Sequence, residues 1–106
     1  GHVDGTAALV AREESENNLT LSFALPAALA KYVFKKGFIA INGCSLTVAD
    51  LDRQQGVWSV CLIPETRRVT NLDALEVGDR VNIEVDRQTQ VIVDTVERVL
   101  AERGDA

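Results

Sequence analysis

The sequence predicts an all-β fold: a six-stranded antiparallel barrel, closed or nearly closed, with one short inserted helix and a C-terminal α-helix. Three observations predict it. Apolar and polar residues alternate in several short runs, the period of two that buries one face of a strand. Turn-forming clusters punctuate those runs. The long final segment from Gln88 to Arg103 switches to helical spacing. Closure would also remove the exposed sheet edges that invite pairing with other chains.

The first strand runs from Val3 to Arg12 and ends in the polar cluster Glu13–Asn18, a turn by composition. Leu19, Leu21, Phe23 and Leu25 alternate with Thr20, Ser22 and Ala24 to give the second. Pro26 suits the first position of a helix, where its missing N–H costs nothing. Leu29, Tyr32 and Val33 share one face of a short helix over Pro26–Phe34, which Lys35-Lys36-Gly37 breaks. Phe38–Ile41 is a short apolar strand, and Asn42-Gly43 is the strongest hairpin signal in the chain. Leu46, Val48 and Asp50 carry the returning strand, with Ser45, Thr47 and Ala49 on its other face. After a turn over Asp52–Gly56, the strand Val57–Ile63 sets Trp58, Val60 and Leu62 on one side, and Pro64 stops it. A compact segment holding Leu72, Leu75 and Val77 closes at Gly78-Asp79. Val81, Ile83 and Val85 then alternate with Asn82, Glu84 and Asp86 in the sixth strand.

In the final segment Ile92, Val96, Val99 and Arg103 form a helical stripe. The β-branched run Val91-Ile92-Val93 lowers local helix propensity. The neighbours Asp94–Arg98 and Arg98–Glu102, four residues apart, support it. The stripe must be buried, on the chain's own barrel or against a partner chain, the second being preferred. The expected organisation is a barrel over residues 1–86 and a helix over residues 87–106.

With 106 residues the chain is one domain, burying roughly 65% of its unfolded surface without needing staples. Hydrophobic residues at 46% and charged residues at 25% place it among globular domains. Eleven Lys and Arg against 16 Asp and Glu leave a net charge of −5, which argues against electrostatic binding of nucleic acid. No apolar run approaches the roughly 18 residues of a membrane helix. Cys44 and Cys61 have only His2 as a nitrogen partner, so no zinc pattern exists. Two cysteines do not make a disulfide framework, and a reduced, cytoplasmic chain is expected. A small molecule is the ligand class left standing.

Dinucleotide, phosphate-loop, zinc-protease and serine-hydrolase motifs are absent. The remaining candidates are polar residues beside strands. His2 alone titrates near neutrality without perturbation, or is a terminal residue of no consequence. Ser45 and Thr47 share a strand face just past a tight turn. Thr66 follows Pro64 as a ligand contact or plain loop. Asp86 ends a strand before a helix, an N-cap pattern. Cys44 and Cys61 read as small buried hydrophobes.

Five blocks carry more. Gly1-His2-Val3-Asp4-Gly5, Lys36-Gly37-Phe38-Ile39, Asn42-Gly43-Cys44-Ser45-Leu46-Thr47-Val48, Leu62-Ile63-Pro64-Glu65-Thr66 and Gly78-Asp79-Arg80-Val81-Asn82-Ile83-Glu84-Val85-Asp86 stand in that order and spacing. Together they resemble riboflavin synthase, over residues 1 to about 102. Each block alone is weak, and five in register are specific. That family's subunit is two similar barrels in tandem followed by a C-terminal helix, and this chain resembles the second barrel with the helix. The first block marks the join between barrels, and Ser45 matches the second barrel, where the first often has cysteine. The run Val91–Leu100 is most similar to enterobacterial members.

The resemblance implies a six-stranded Greek-key barrel binding one 6,7-dimethyl-8-ribityllumazine. Two lumazines dismutate: one passes a four-carbon unit to the other, giving riboflavin and 5-amino-6-ribitylaminouracil, with no metal or organic cofactor. It also implies a homo-oligomer, a trimer through the C-terminal helices. Each active site then lies between the N-terminal barrel of one subunit and the second barrel of its neighbour. By the resemblance, His2, Ser45, Thr47 and Asp86 are the catalytic positions. Ser45 and Thr47 orient or activate the lumazine, and His2 and Asp86 move protons or position it. Gly43, Cys44, Ser45, Thr47, Ile63 and Thr66 bind the ligand, with backbone amides of Gly43–Thr47 reading the pteridine edge. Stacking two rings in register would supply effective molarity. A base for the acidic 7-methyl group and donors to the ring carbonyls would complete the chemistry. Either barrel could hold the donor.

One barrel offers half of such a site, so the chain alone is expected to bind lumazine and riboflavin with weak or no turnover. A start inside the Gly1–Gly5 block, without methionine, leads to the expectation of an excised domain. Two other readings stand beside the enzyme: a non-catalytic, antenna-type lumazine or flavin protein of the same fold, and an unrelated interaction barrel. Ser45, Thr47, Asp86 and the long final helix favour the enzyme.

Overall fold

The computed structural model describes residues 3–103. Its seven strands, β1 (Gly5–Ser15), β2 (Asn18–Ala24), β3 (Phe38–Ile41), β4 (Cys44–Thr47), β5 (Asp50–Asp52), β6 (Val57–Leu62) and β7 (Arg80–Val85), form one curled antiparallel sheet. The order is β4-β3-β7-β1-β2-β6-β5. Two α-helices, α1 (Pro64–Val69) and α2 (Arg87–Glu102), and 3₁₀ segments at Ala27–Tyr32 and Leu72–Ala74 complete it.

β1 bends the sheet. Its first residues pair with β7, Gly5 opposite Ile83, and from Leu9 onward it pairs with β2. The register slips between Leu9 and Ala11, so Val10 is the extra residue of a bulge; a bulge kinks its strand and increases the local twist. On the far side the two edge strands, β4 and β5, are joined only by Val48-Ala49. The Val48 N–H donates to the Gly37 carbonyl and the Ala49 N–H to the Ser59 carbonyl, both at 2.8 Å. The chain thereby changes partner from the β3 side to β6 within two residues. That switch divides the strand expected over Leu46–Asp50, and it makes seven strands where six were expected.

Alternation decides what is buried. Leu19, Leu21 and Phe23 on β2 and Trp58, Val60 and Leu62 on β6 are at most 1% exposed, while Thr20 and Ser22 between the first set are half-buried. Phe23 and Trp58, cross-strand partners, stack with centroids 4.8 Å apart. The indole N–H donates to the Ala24 carbonyl at 3.2 Å, so the buried ring leaves no polar atom unmet.

Asn42 and Gly43 both have positive φ, 49° and 84°, as a two-residue hairpin turn requires. The short helix expected after Pro26 is present over Ala27–Tyr32 and is of the 3₁₀ kind. Arg53 holds its end through the carbonyls of Ala30 and Val33, at 2.7 and 2.6 Å. Pro64 ends β6 as expected and also opens α1, so that Thr66 lies in a helix and not in a loop. Its fixed φ suits a first helical position.

Asp86 caps α2: its Oδ2 accepts from the Thr89 N–H and hydroxyl, at 3.0 and 2.9 Å. The helix then meets the 3₁₀ segment Ala27–Tyr32 by a mostly polar face. The Tyr32 hydroxyl donates to Asp94, Lys31 pairs with Glu97 at 2.8 Å, and Val93 packs on the core. Ile92, Val96, Val99 and Leu100 point away and are 43–63% exposed. Of the two destinations open to the apolar stripe, its own barrel does not bury it. The radius of gyration, 15.0 Å, exceeds the roughly 13 Å of a compact domain this long, because α2 projects.

The Asp94 bond raises the ionisation of the Tyr32 hydroxyl above its ordinary value, and the Glu97 bond does the same for Lys31. Both contacts therefore contribute in full below their ordinary values, near 10, and are lost as pH rises through the raised ones. Tyr32 is the only tyrosine, so phenolate absorbance titrates it directly. Asp94→Ala is expected to bring the midpoint back down toward 10; an unchanged midpoint would refute the contact.

Candidate functional site

The β3–β4 hairpin sets side chains on two faces. Cys44 and Leu46 pack against the core, and Ser45 and Thr47 face outward, exposed. Register completes the outer face: Ala40 lies opposite Ser45 on one side and Glu84 on the other, and Phe38 lies opposite Thr47. Ala40 is a gap in this row of side chains. Over it opens a cleft of about 300 Å³ lined by Phe38, Ile39, Ala40 and Ser45 from the hairpin and by Glu84, Val85, Asp86 and Arg87 from the junction of β7 with α2.

The cleft borders an unpaired edge. In a two-residue hairpin Ile41 and Cys44 exchange both backbone bonds, and alternation makes Ile39 and Leu46 the next bonded pair. The bond from Val48 to Gly37 continues that phase. Ser45 and Thr47 therefore turn their backbone N–H and C=O toward the open side of β4, the first strand of the sheet. Gly43 is needed for its φ rather than for space, since a Cβ there would meet nothing within 4 Å.

Asp86 serves both the helix and the cleft. It is half-buried, and both its bonds to Thr89 fall on Oδ2. The structure thus brings together Ser45 and Asp86 in one cleft, with Thr47 next along the strand face and Gly43 and Cys44 at the adjoining turn. Ile63 and Thr66 do not line it. Ile63, 55% exposed, precedes α1, and Thr66 lies within it. Arg67 anchors that helix through Asp73 (2.6 Å), the Asn17 carbonyl (2.8 Å) and Glu14 (2.8 Å). These carboxylates, Asp73 foremost, hold the guanidinium above its ordinary value. His2 lies outside the described residues. Cys44 and Cys61 are both free thiols, the second exposed rather than buried as expected.

Phe38, Ala40, Glu84 and Arg87 were not singled out by sequence reasoning. Phe38-Ile39-Ala40-Ile41 reads as a continuous apolar run, which hides that Ile39 and Ile41 are buried while Phe38 is 60% exposed. Among the described residues no cluster of three or more His, Cys, Asp or Glu side chains is placed to hold a metal ion, and no helix is long and apolar enough to cross a membrane.

A small curled antiparallel sheet carrying hydroxyls, a carboxylate and an aromatic ring around an outward cleft defines a β-module for a small organic ligand. The lumazine binding domain family matches residues 1–86, and the chain belongs to that family. Riboflavin synthase of Escherichia coli (strain K12) is 48% identical over 107 residues, covering 100% of this chain and 49% of the relative. Riboflavin synthase of Mycobacterium tuberculosis (strain ATCC 25618 / H37Rv) is 45% identical over 105 residues, covering 98% and 50%. The chain spans about half the length of these curated relatives. LumP, solved with 6,7-dimethyl-8-(1'-D-ribityl) lumazine and with flavin mononucleotide, superposes with a TM-score of 0.76 at 25% identity, over 82% of this chain and 48% of LumP.

Proposed function

We propose that the chain is a ligand-binding half of a riboflavin synthase. It binds 6,7-dimethyl-8-ribityllumazine and riboflavin, and contributes one side of a site in which two lumazines dismutate to riboflavin and 5-amino-6-ribitylaminouracil. The observation that carries this reading is the cleft joining Ser45 and Asp86 at the open edge of β4. A pteridine edge laid along β4 meets the free N–H and C=O groups of Ser45 and Thr47, and the two hydroxyls add further partners. Asp86 supplies a carboxylate to accept or return the 7-methyl proton, with His2 as a second proton carrier. Ile63 and Thr66, contacts that the resemblance implies, stand outside this cleft at the end of β6. The four-carbon transfer conserves all atoms between the two lumazines and needs no external oxidant.

The second lumazine is held by the N-terminal barrel of a neighbouring subunit, so the isolated chain binds ligand with weak or no turnover. Residues 1–86 act as a nearly closed Greek-key barrel, its edge strand β4 open to ligand, and residues 87–106 as the oligomerisation segment, whose stripe Ile92, Val96 and Val99 is exposed in the single chain. Free thiols at Cys44 and Cys61 suit a reduced, cytoplasmic setting. The likeness to LumP keeps a non-catalytic flavin-binding reading in view. Identity of 48% to riboflavin synthase against 25% to LumP favours the enzyme.

Fluorescence titration of the chain with lumazine and with riboflavin is the test. Binding of both is expected, and failure to bind either at tens of micromolar, roughly 6 kcal/mol of affinity, would overturn the reading. Riboflavin formation by a two-barrel enzyme carrying this barrel separates enzyme from antenna. Sedimentation with and without residues 87–106 reports assembly; equal protomer numbers in both would remove the helix from that role.

A further inference from the structure

We propose that Phe38, with Ala40 beside it, is the stacking wall of the cleft, and that contact with the flat face of a heteroaromatic ring sets affinity here as much as polar contact with its edge. The inference rests on the lumazine-binding reading and adds residues that it does not assign.

Phe38 is 60% exposed on a strand whose inward residues, Ile39 and Ile41, are at most 2% exposed. Among the described residues the close ring contacts are Phe23 with Trp58, Lys31 with Tyr32 and Arg53 with Phe34, and Phe38 takes part in none. Its ring lines the cleft, opposite Thr47. One step along the same face Ala40 leaves the space between Ser45 and Glu84 unfilled. An exposed ring beside a one-carbon side chain is a wall next to a floor, and a planar ligand fits such an angle with its face on the phenyl group. Ser45 and the open edge of β4 then meet the ligand's rim. Ring stacking tolerates different ring systems because each offers a π-face. The same wall would therefore serve two-ring lumazine and three-ring flavin.

The test uses the whole chain, with 6,7-dimethyl-8-ribityllumazine and riboflavin as probes. Phe38→Ala is expected to weaken both about five- to hundredfold while leaving circular dichroism and melting unchanged. Ala40→Leu, which fills the floor and removes no polar group, is expected to abolish binding of both. Phe38→Trp is expected to keep affinity and to quench bound riboflavin, because an electron-rich indole in face contact quenches an excited flavin. If wild type binds and Phe38→Ala binds equally well, or Phe38→Trp leaves bound riboflavin as bright as wild type does, the stacking assignment is wrong. If wild type binds neither probe, the lumazine reading fails and the assignment falls with it.

Discussion

Trp58→Ala is expected to lower stability by about 3–5 kcal/mol, the usual cost of truncating a buried large aromatic side chain. Trp58 is 1% exposed, stacked on Phe23, and bonded through its indole N–H to the Ala24 carbonyl. It therefore ties β6 to β2 by packing and by a hydrogen bond. Small domains are stable by only about 5–15 kcal/mol, with the lower end natural at this length, so most of the margin would disappear. Urea unfolding followed by far-UV circular dichroism gives the measurement without relying on the deleted fluorophore. Trp58→Phe keeps a stacked ring and loses the indole N–H, and should cost clearly less. A Trp58→Ala midpoint close to wild type would mean that β2 and β6 are held by something other than this pair.

Asp86 gives the second large effect, on turnover rather than on folding. In a two-barrel enzyme Asp86→Asn is expected to reduce turnover by about 10²–10⁴, the range for a general acid or base. The melting temperature should stay near wild type, because asparagine caps helices about as well as aspartate. Asp86→Ala removes the acceptor of both Thr89 bonds as well and should cost about a further 1 kcal/mol of stability. The pair of substitutions separates charge from cap. Full turnover in Asp86→Asn would assign Asp86 to the helix alone.

Local chemistry was legible in the sequence wherever one short segment determined the outcome. The alternation at Leu19, Leu21 and Phe23 and the turn at Asn42-Gly43 lie where the residues put them, because side-chain period and positive φ are local properties. The Asp86 cap was legible for the same reason. Pro64 could have been read as a helix start, since Pro26 was read by that rule. The division of β4 from β5 was hidden because its cause is distant: Ala49 finds Ser59 on β6 in place of a continued partner on β3. The cleft was hidden for a related reason. Ser45, Ala40 and Glu84 form one row only once register is fixed across three strands, and no spacing along the chain records that. The resemblance pointed to Ser45 and Asp86 without the geometry, and geometry then added Phe38 and Ala40.

The position of β7 also governs the order in which the chain can fold. β7 is made last of the strands yet lies inside the sheet, between β3 and β1. The side chain of Asp4 accepts from the Val85 N–H across 81 residues. Loop closure on that scale must precede the contacts that reward it, so assembly falls in the slow, milliseconds-to-seconds class of β-topologies. Until Arg80–Val85 has emerged, β3 and β1 each offer a bare strand to any passing chain. Insertion of the last strand is the moment at which both bare strands are covered and the two halves of the sheet become one.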